Sequence, residues 1–297
     1  MTYAYGTKLA GGARPPFTGA PSTGPTLPTV FLGGLPQLYG EEVFTTAGTY
    51  TWTVPRNVHT VSVVCIGGGT GDGSGPTAAG TSHFNNSLYA FGSNVRAGGG
   101  FSGADGGGVG GTGGLVDTAT DPTYGTNTAG GAGGGAGGYG GKGGNAGLSS
   151  AGAPTVTDPI DYTLAGGGGG GVGIYGLGAS GQGAEQVSSL AGPGDPGEGG
   201  GGGGGSGPRV SAAVQLAGKR GQGGSGGTPS TNDVTTSLGG NYGGGYGRTA
   251  SGYGGGGLGW KNNIRVLPGQ QIPIKVGTDG AVRIIWGTGR TFPVNAQ

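Results

Sequence analysis

The side chains best suited to covalent chemistry are few and badly placed for it. Asp158 and Asp161 lie three residues apart, and Asp117 and Asp121 lie four apart. Cleavage of a glycosidic bond uses two such carboxylates, one as acid and one as base or nucleophile. Each pair adjoins a proline, in Asp121-Pro122 and Asp158-Pro159, and Asp195-Pro196 repeats the dipeptide. Aspartate beside proline is ordinary turn chemistry, so catalysis is not expected there. His59 and His83 are the only histidines and Cys65 the only cysteine, too few for a metal cluster or a disulfide framework. Cys65 is expected as a small buried residue in a strand. Gly108-Val109-Gly110-Gly111-Thr112-Gly113 fits G-x-G-x-x-G, but chance produces that pattern in a chain with 87 glycines among 297 residues, and no helix is expected after it. Gly141-Lys142 lacks the following Ser or Thr of a phosphate loop, and Asn85-Asn86-Ser87 acts as a glycosylation sequon only in a secretory route. Neither enzymatic activity nor a cofactor or metal is expected.

Recognition chemistry is better represented. The stretch TSHFNNSLYAFGSNVRA, 81–97, gathers His83, Phe84, Asn85, Tyr89 and Phe91, and other glycine-poor stretches carry Tyr124, Tyr162 and Tyr175. Aromatic rings give flat apolar area with few rotatable bonds, and Tyr adds a hydroxyl. These eight residues are the candidates for touching a partner's surface.

Something rigid must hold them. Glycine is in roughly fourfold excess over an ordinary protein and is concentrated between residues 66 and 259. Collagen needs one Gly in every three with Pro between, whereas GGYGGKGGN (137–145) has two in three. Only 9% of residues are charged and the net charge is +1, so self-repulsion does not expand the chain. Without clustered Lys and Arg, a nucleic-acid partner is not expected. No apolar run reaches the ~18 residues of a membrane span, and the first residues lack the pattern of a secretion signal.

Residues 44–66 alternate: Tyr50, Trp52 and Val54 against Thr51 and Thr53, then Val61, Val63 and Cys65 against Ser62, Val64 and Ile66. The second run is apolar on both faces and is expected to be buried on both. Pro55-Arg56-Asn57 separates the runs as a turn. Near the C-terminus, Ile272, Ile274 and Val276 share one face, with Pro273 suited to an edge strand. Thr278-Asp279-Gly280 signals a hairpin, and Val282, Ile284 and Trp286 form another strand face. Pairs this small need each other. The expectation is an all-β, partly irregular chain with essentially no α-helix. Residues 41–66 plus 260–297 form a small antiparallel β-sandwich frame. Residues 67–259 are inserted as a sandwich of polyglycine II-like rods with loop tips, and 1–40 form an extended Pro/Thr/Gly-rich attachment arm.

A threefold left-handed helix of the polyproline type has no internal hydrogen bonds. Glycine rods of that shape can approach until their peptides bond to one another. Buried rods are then nearly pure glycine, with Gly168, Gly202 and Gly255 as interior positions, and X of Gly-Gly-X faces outward. On this reading Tyr139, Lys142 and Asn145 look out, and replacing Tyr139 is tolerated.

TAGTYTWTVPRNVHTVSVVCIGGGTG and GGGGLGWKNNIRVLPGQQIPIKVGTDGAVRIIWGTGRTFP resemble the two ends that frame glycine-rich domains in phage tail proteins. Where Pro-Ala-Gly-Val-like turns are common, this chain has Pro55-Arg56-Asn57-Val58. In composition the chain is similar to tail-fibre-tip adhesins of T-even-type phages, which present receptor-binding loops on a polyglycine sandwich. The resemblance implies a non-enzymatic virion adhesin at the tail or tail-fibre tip, assembled in the host cytoplasm. Its partner would be a host outer-surface glycan or outer-membrane protein. Residues 1–40 would contact other tail or fibre proteins, or sister copies in an optional homotrimer, without membrane insertion. The alternative is an architectural virion protein of baseplate, collar or head fibre.

Overall fold

Alternating β-branched and aromatic residues form the strands where the sequence places them. The structure, a computed structural model, describes residues 39–69, 80–94, 96–115, 133–146 and 252–296. It also describes short pieces at 117–121, 125–129, 131, 150–151, 163–164, 171, 174–175, 186–187, 190–191, 236–237, 242–245 and 247–248. The chain divides into units Met1–Pro36 and Gln37–Gln297, and all described residues belong to the second. Gly168, Gly202 and residues 1–38 of the expected arm therefore lie outside the described residues, while Gly40, expected as the arm's last residue, begins the first strand. Among those residues there is no helix.

Ten strands build two five-stranded antiparallel sheets. They are β1 (Gly40–Phe44), β2 (Gly48–Thr53), β3 (Thr60–Ile66), β4 (Ser82–Phe84), β5 (Leu88–Ala90), β6 (Phe101–Ser102), β7 (Gly106–Gly108), β8 (Leu258–Arg265), β9 (Gln271–Val276) and β10 (Ala281–Trp286). One sheet has the order β1-β10-β3-β8-β7 and the other β2-β9-β4-β5-β6. Both chain ends contribute, as expected. The sheets also take Ser82–Phe84, Leu88–Ala90, Phe101–Ser102 and Gly106–Gly108 from the stretch expected in the rods, so the centre of 81–97 is a strand pair rather than one long loop. Only 85–87 forms a tip, with Asn85 and Asn86 at φ 50° and 47°, a left-handed turn that Asn tolerates.

The period-two pattern sorts side chains between two cores. Val61, Val63 and Cys65 of β3 meet Trp52, Phe84, Leu88, Ile272 and Ile274 of the other sheet. Val64 and Ile66 turn to the opposite face, against Tyr139, Ile285 and Phe292. β3 is thus covered on both faces, as its sequence requires. Burial pushes the Cys65 thiol far up, which leaves it an unreactive core residue. Each fully buried Ile or Leu contributes roughly 1.5–3 kcal/mol.

Two expectations about strand connections are corrected. Thr278-Asp279-Gly280 does not close a hairpin: β9 pairs with β2 and β4, whereas β10 pairs with β1 and β3. The turn, closed by Gly280 N–H donating to Gly277 O at 2.9 Å, passes the chain between sheets. Pro273 is not on an edge strand, since β9 lies between β2 and β4. It is tolerated because β4 ends opposite Ile274, and the Pro273 carbonyl accepts the Asn85 N–H at 2.9 Å. In the frame's first turn Asn57 takes φ 66°, a conformation otherwise suited to glycine.

A β-bulge between Lys261 and Ile264 shifts the register of β8 on β3, as an extra residue does. Leu258 and Trp260 therefore face the Phe292 side, while Ile264 joins the inner core. At the bulge Asn263 has φ 52°, and the Asn262 amide binds the Phe292 main chain twice, at 2.7 and 2.8 Å.

The glycine segments meet through their peptides in steps of three. Gly254 and Gly257 donate to Asn94 O and Phe91 O, and Gly252 and Gly255 donate to Gly114 O and Gly111 O. Gly110 and Gly113 reach Gly99 O and Arg96 O, and Gly134 and Gly137 reach Tyr253 O and Gly256 O. Gly255 is buried, and a methyl group built on it would overlap the Gly135 carbonyl oxygen.

Candidate functional site

The expected recognition residues separate into distinct places. His83 on β4 and Tyr89 on β5 are direct cross-strand partners, with ring centroids 5.3 Å apart. Phe91, just beyond β5, stacks on Tyr89 at 6.1 Å with an interplanar angle of 8°. All three are half-buried and lie on the outer face of the sheet, opposite Phe84, Leu88 and Ala90. Asn85 is exposed at the tip beside them.

Phe84 does not belong to this face. It is 0% exposed and packs on Trp52 with centroids 6.3 Å apart. Residues 82–84 form strand rather than loop, so consecutive side chains alternate and His83 and Phe84 point to opposite faces. Tyr175 lies elsewhere again, on the far side of the sandwich, where its ring covers the Arg283 guanidinium at 4.7 Å. Tyr124 and Tyr162 lie outside the described residues.

One residue of the outer face was not among the candidates. Lys275 on β9 is the cross-strand partner of His83. The alternation of Ile272, Ile274 and Val276 already put Lys275 on the opposite face, but only the β9–β4 pairing sets it beside aromatic rings. Burial first, and the Lys275 ammonium second, hold His83 below the usual imidazole range, so the ring is neutral at pH 7. Its Nδ1 is buried without a hydrogen-bond partner in the structure. The result is a ledge of three touching rings, Phe91 stacked on Tyr89 and His83 tilted against it, with a polar ring atom and a cation on one side. Such a surface suits the apolar face and hydroxyls of a sugar, or an aromatic-rich protein loop.

The carboxylates expected to be non-catalytic are not drawn into a pair by the backbone. Asp117 and Asp121 end one strand, Asp117–Asp121, paired with Gly125–Ala129, which spaces their Cα atoms roughly 13 Å apart. Asp158 and Asp161 lie outside the described residues. In the G-x-G-x-x-G stretch, the amides of Gly110, Gly111 and Gly113 are already spent on neighbouring carbonyls. Among the described residues no group of three or more His, Cys, Asp or Glu could hold a metal, and no helix is long and apolar enough to cross a membrane.

The chain matches no family model, no curated protein and no solved structure.

On the sandwich's other outer face, Arg283 is 2% exposed. It donates to Glu41 Oε2 at 2.9 Å and to Ala296 O at 3.0 Å, while Arg290 reaches the same Glu41 oxygen at 3.0 Å. The Arg283 hydrogen bond, despite some burial, holds the Glu41 carboxyl below its ordinary 4.5. A carboxylate depressed by folding stabilises fully above its unfolded value, and that contribution disappears as pH falls through the folded one. The melting temperature is therefore expected to drop as pH is lowered below 4.5, and Glu41→Gln to flatten that drop. Equal acid sensitivity in the two chains, followed by circular dichroism, would remove Glu41 from the cause.

Proposed function

We propose that the protein is a non-enzymatic virion adhesin of a phage tail or tail-fibre tip. It presents the His83–Tyr89–Phe91 ledge to a glycan or outer-membrane protein on the host surface. The observation that carries this reading is the ledge itself: Phe91 stacked on Tyr89 and His83 tilted against it, with Lys275 and an unpartnered imidazole nitrogen, on the outer face of a sheet whose inner face is packed in the core. A stiff sheet holds rings in place with little entropy left to lose on binding. The framing motifs around residues 44–69 and 254–293, similar to those of phage tail proteins, support the virion setting.

We further infer that the glycine segments are polyglycine II-like rods stacked into a lattice. Hydrogen bonds between peptides, recurring every third residue, support this, because a helix of three residues per turn returns each N–H to the same neighbour at that interval. The lattice would support the sandwich from beside β7 and β8.

Purified protein is expected to adsorb to host cells and to block infection in competition. Tyr89→Ala is expected to weaken adsorption by about tenfold or more, as loss of an aromatic anchor does, with an unchanged melting temperature. Undiminished adsorption by Tyr89→Ala would move the site off the ledge. A wild-type protein that neither adsorbs nor blocks infection would favour the second reading, an architectural part of baseplate, collar or head fibre.

A further inference from the structure

The two exposed edges at one side of the sandwich are built differently. β1 carries Glu41 and Glu42, and its Gly40 carbonyl is occupied by Arg290 Nη1 at 2.7 Å. Charged edges resist pairing with another chain. β2 reads GTYTWT, with no charge, no proline and no bulge, and Thr49, Thr51 and Thr53 are exposed.

The register fixes where its peptides point. Thr51 lies opposite Pro273, and the Pro273 carbonyl turns away from β2 to accept the Asn85 N–H. In an antiparallel pair, a residue's N–H and C=O point to the same side. Thr51 and Pro273 thus exchange no hydrogen bonds, and the Thr51 N–H and C=O face outward from the edge. Val54, three residues on, confirms the phase: it faces inward, donating to Gln270 O and accepting from Gly269 N–H, both at 2.9 Å. Thr49, Thr51 and Thr53 therefore present an uninterrupted row of open donors and acceptors.

We propose that this edge pairs with β2 of a second copy of the chain. Antiparallel pairing about a twofold axis through Thr51 sets Thr51 against its own copy, Thr49 against Thr53, and Tyr50 against Trp52. Inner faces stay inward and outer faces outward. The threonine rows meet in hydrogen-bonded positions and the aromatics in the closer, non-bonded ones. Thr–Thr and aromatic pairs are both favourable cross-strand neighbours. About six inter-chain hydrogen bonds form. The strand has no charge to repel its copy, and the two Lys275 side chains stand three strand spacings apart across the sheet and four residues apart along it, roughly 20 Å in all, beyond the ~8 Å screening length. The axis is normal to the sheet, so both His83–Tyr89–Phe91 ledges face the same way. If the ledge reads a receptor, that gives bivalent binding, a consequence that rests on the receptor reading while the pairing does not.

Sedimentation of the whole chain from about 1 µM to about 1 mM is expected to show a monomer passing to a dimer, weak because a strand pair is small against a standard interface. Thr51→Pro removes the outward N–H but none of the protein's own sheet bonds. It is expected to stay monomeric over that range with an unchanged melting temperature. Should it melt early, Thr51→Lys, which sets like charges on the axis, is expected to give the same monomer. Amide exchange at Thr49, Thr51 and Thr53 is expected to slow as concentration rises. A wild type that stays monomeric throughout overturns the proposal, as does a dimer that survives both substitutions. So does protection of these amides only in the presence of another virion protein, which would assign the edge to that partner.

Discussion

Gly255→Ala is expected to abolish the cooperative thermal transition at ambient temperature or to lower it by tens of degrees. Gly255 donates to Gly111 O at 2.9 Å and accepts from Gly99 N–H at 2.8 Å, and a methyl group there would strike the Gly135 carbonyl oxygen. In an ordinary core the obstacle is a side chain that can change rotamer, and overpacking costs about 1–3 kcal/mol. Here it is main chain, itself bonded: Gly135 donates to Gly144 O at 2.9 Å. Separating the segments loses several peptide hydrogen bonds at about 0.5–1.5 kcal/mol each and leaves buried groups unsatisfied at about 1–3 kcal/mol each. The total approaches the ~5–15 kcal/mol that holds a domain together. Gly140→Ala is the control, since no heavy atom lies within 4 Å of the added methyl, and its effect is expected within about 0.5 kcal/mol. Equal melting of the two variants by circular dichroism would show that close contact between glycine backbones does not hold the body together.

Tyr139→Ala is expected to cost about 3–5 kcal/mol, the range for emptying a large aromatic site, and Tyr139→Val is expected to be costly too. This reverses the expectation of tolerance. Tyr139 is 3% exposed. Its hydroxyl donates to Ile174 O at 2.7 Å, its ring stacks on Phe292 at 5.7 Å, and Trp260 Nε1 donates to its carbonyl at 2.9 Å. Burial pushes its phenol pKa strongly upward. Tyr139→Phe keeps the stacking and loses one buried hydrogen bond, so it is expected to cost only about 1 kcal/mol. Denaturant unfolding separates the two terms. If Ala and Phe variants unfold together, the ring contributes nothing and the packing account fails.

The reason Tyr139 escaped the Gly-Gly-X rule is local. Gly135 and Gly138 donate to Gly144 O and Gly141 O, so the segment reverses around 139–140. The threefold phase does not carry through a reversal. Beyond it, Lys142 and Asn145 are exposed as the period requires, with Asn145 Oδ1 accepting from both Thr112 N–H and Oγ1. At Tyr139 the bend turns the ring onto the outer face of the β3 sheet instead.

The sequence by itself determined whatever depends on near neighbours along the chain. Alternation over 50–54, 61–66 and 272–286 set the strands and their apolar faces, including the doubly buried β3. Glycine concentration marked where main chains pack without side chains between them. Tertiary structure decided which strands meet. Thr278-Asp279-Gly280 turns tightly in either case, but whether the following strand joins the same sheet depends on β1 and β3, more than two hundred residues away along the chain. The proposed recognition face depended on the same information. His83, Tyr89 and Phe91 were visible as aromatic residues in one stretch, whereas Phe84 was lost to the core and Lys275 was added once β4 paired with β9. Spacing along a chain fixes the face on which a side chain stands; only the pairing of distant strands fixes its neighbours.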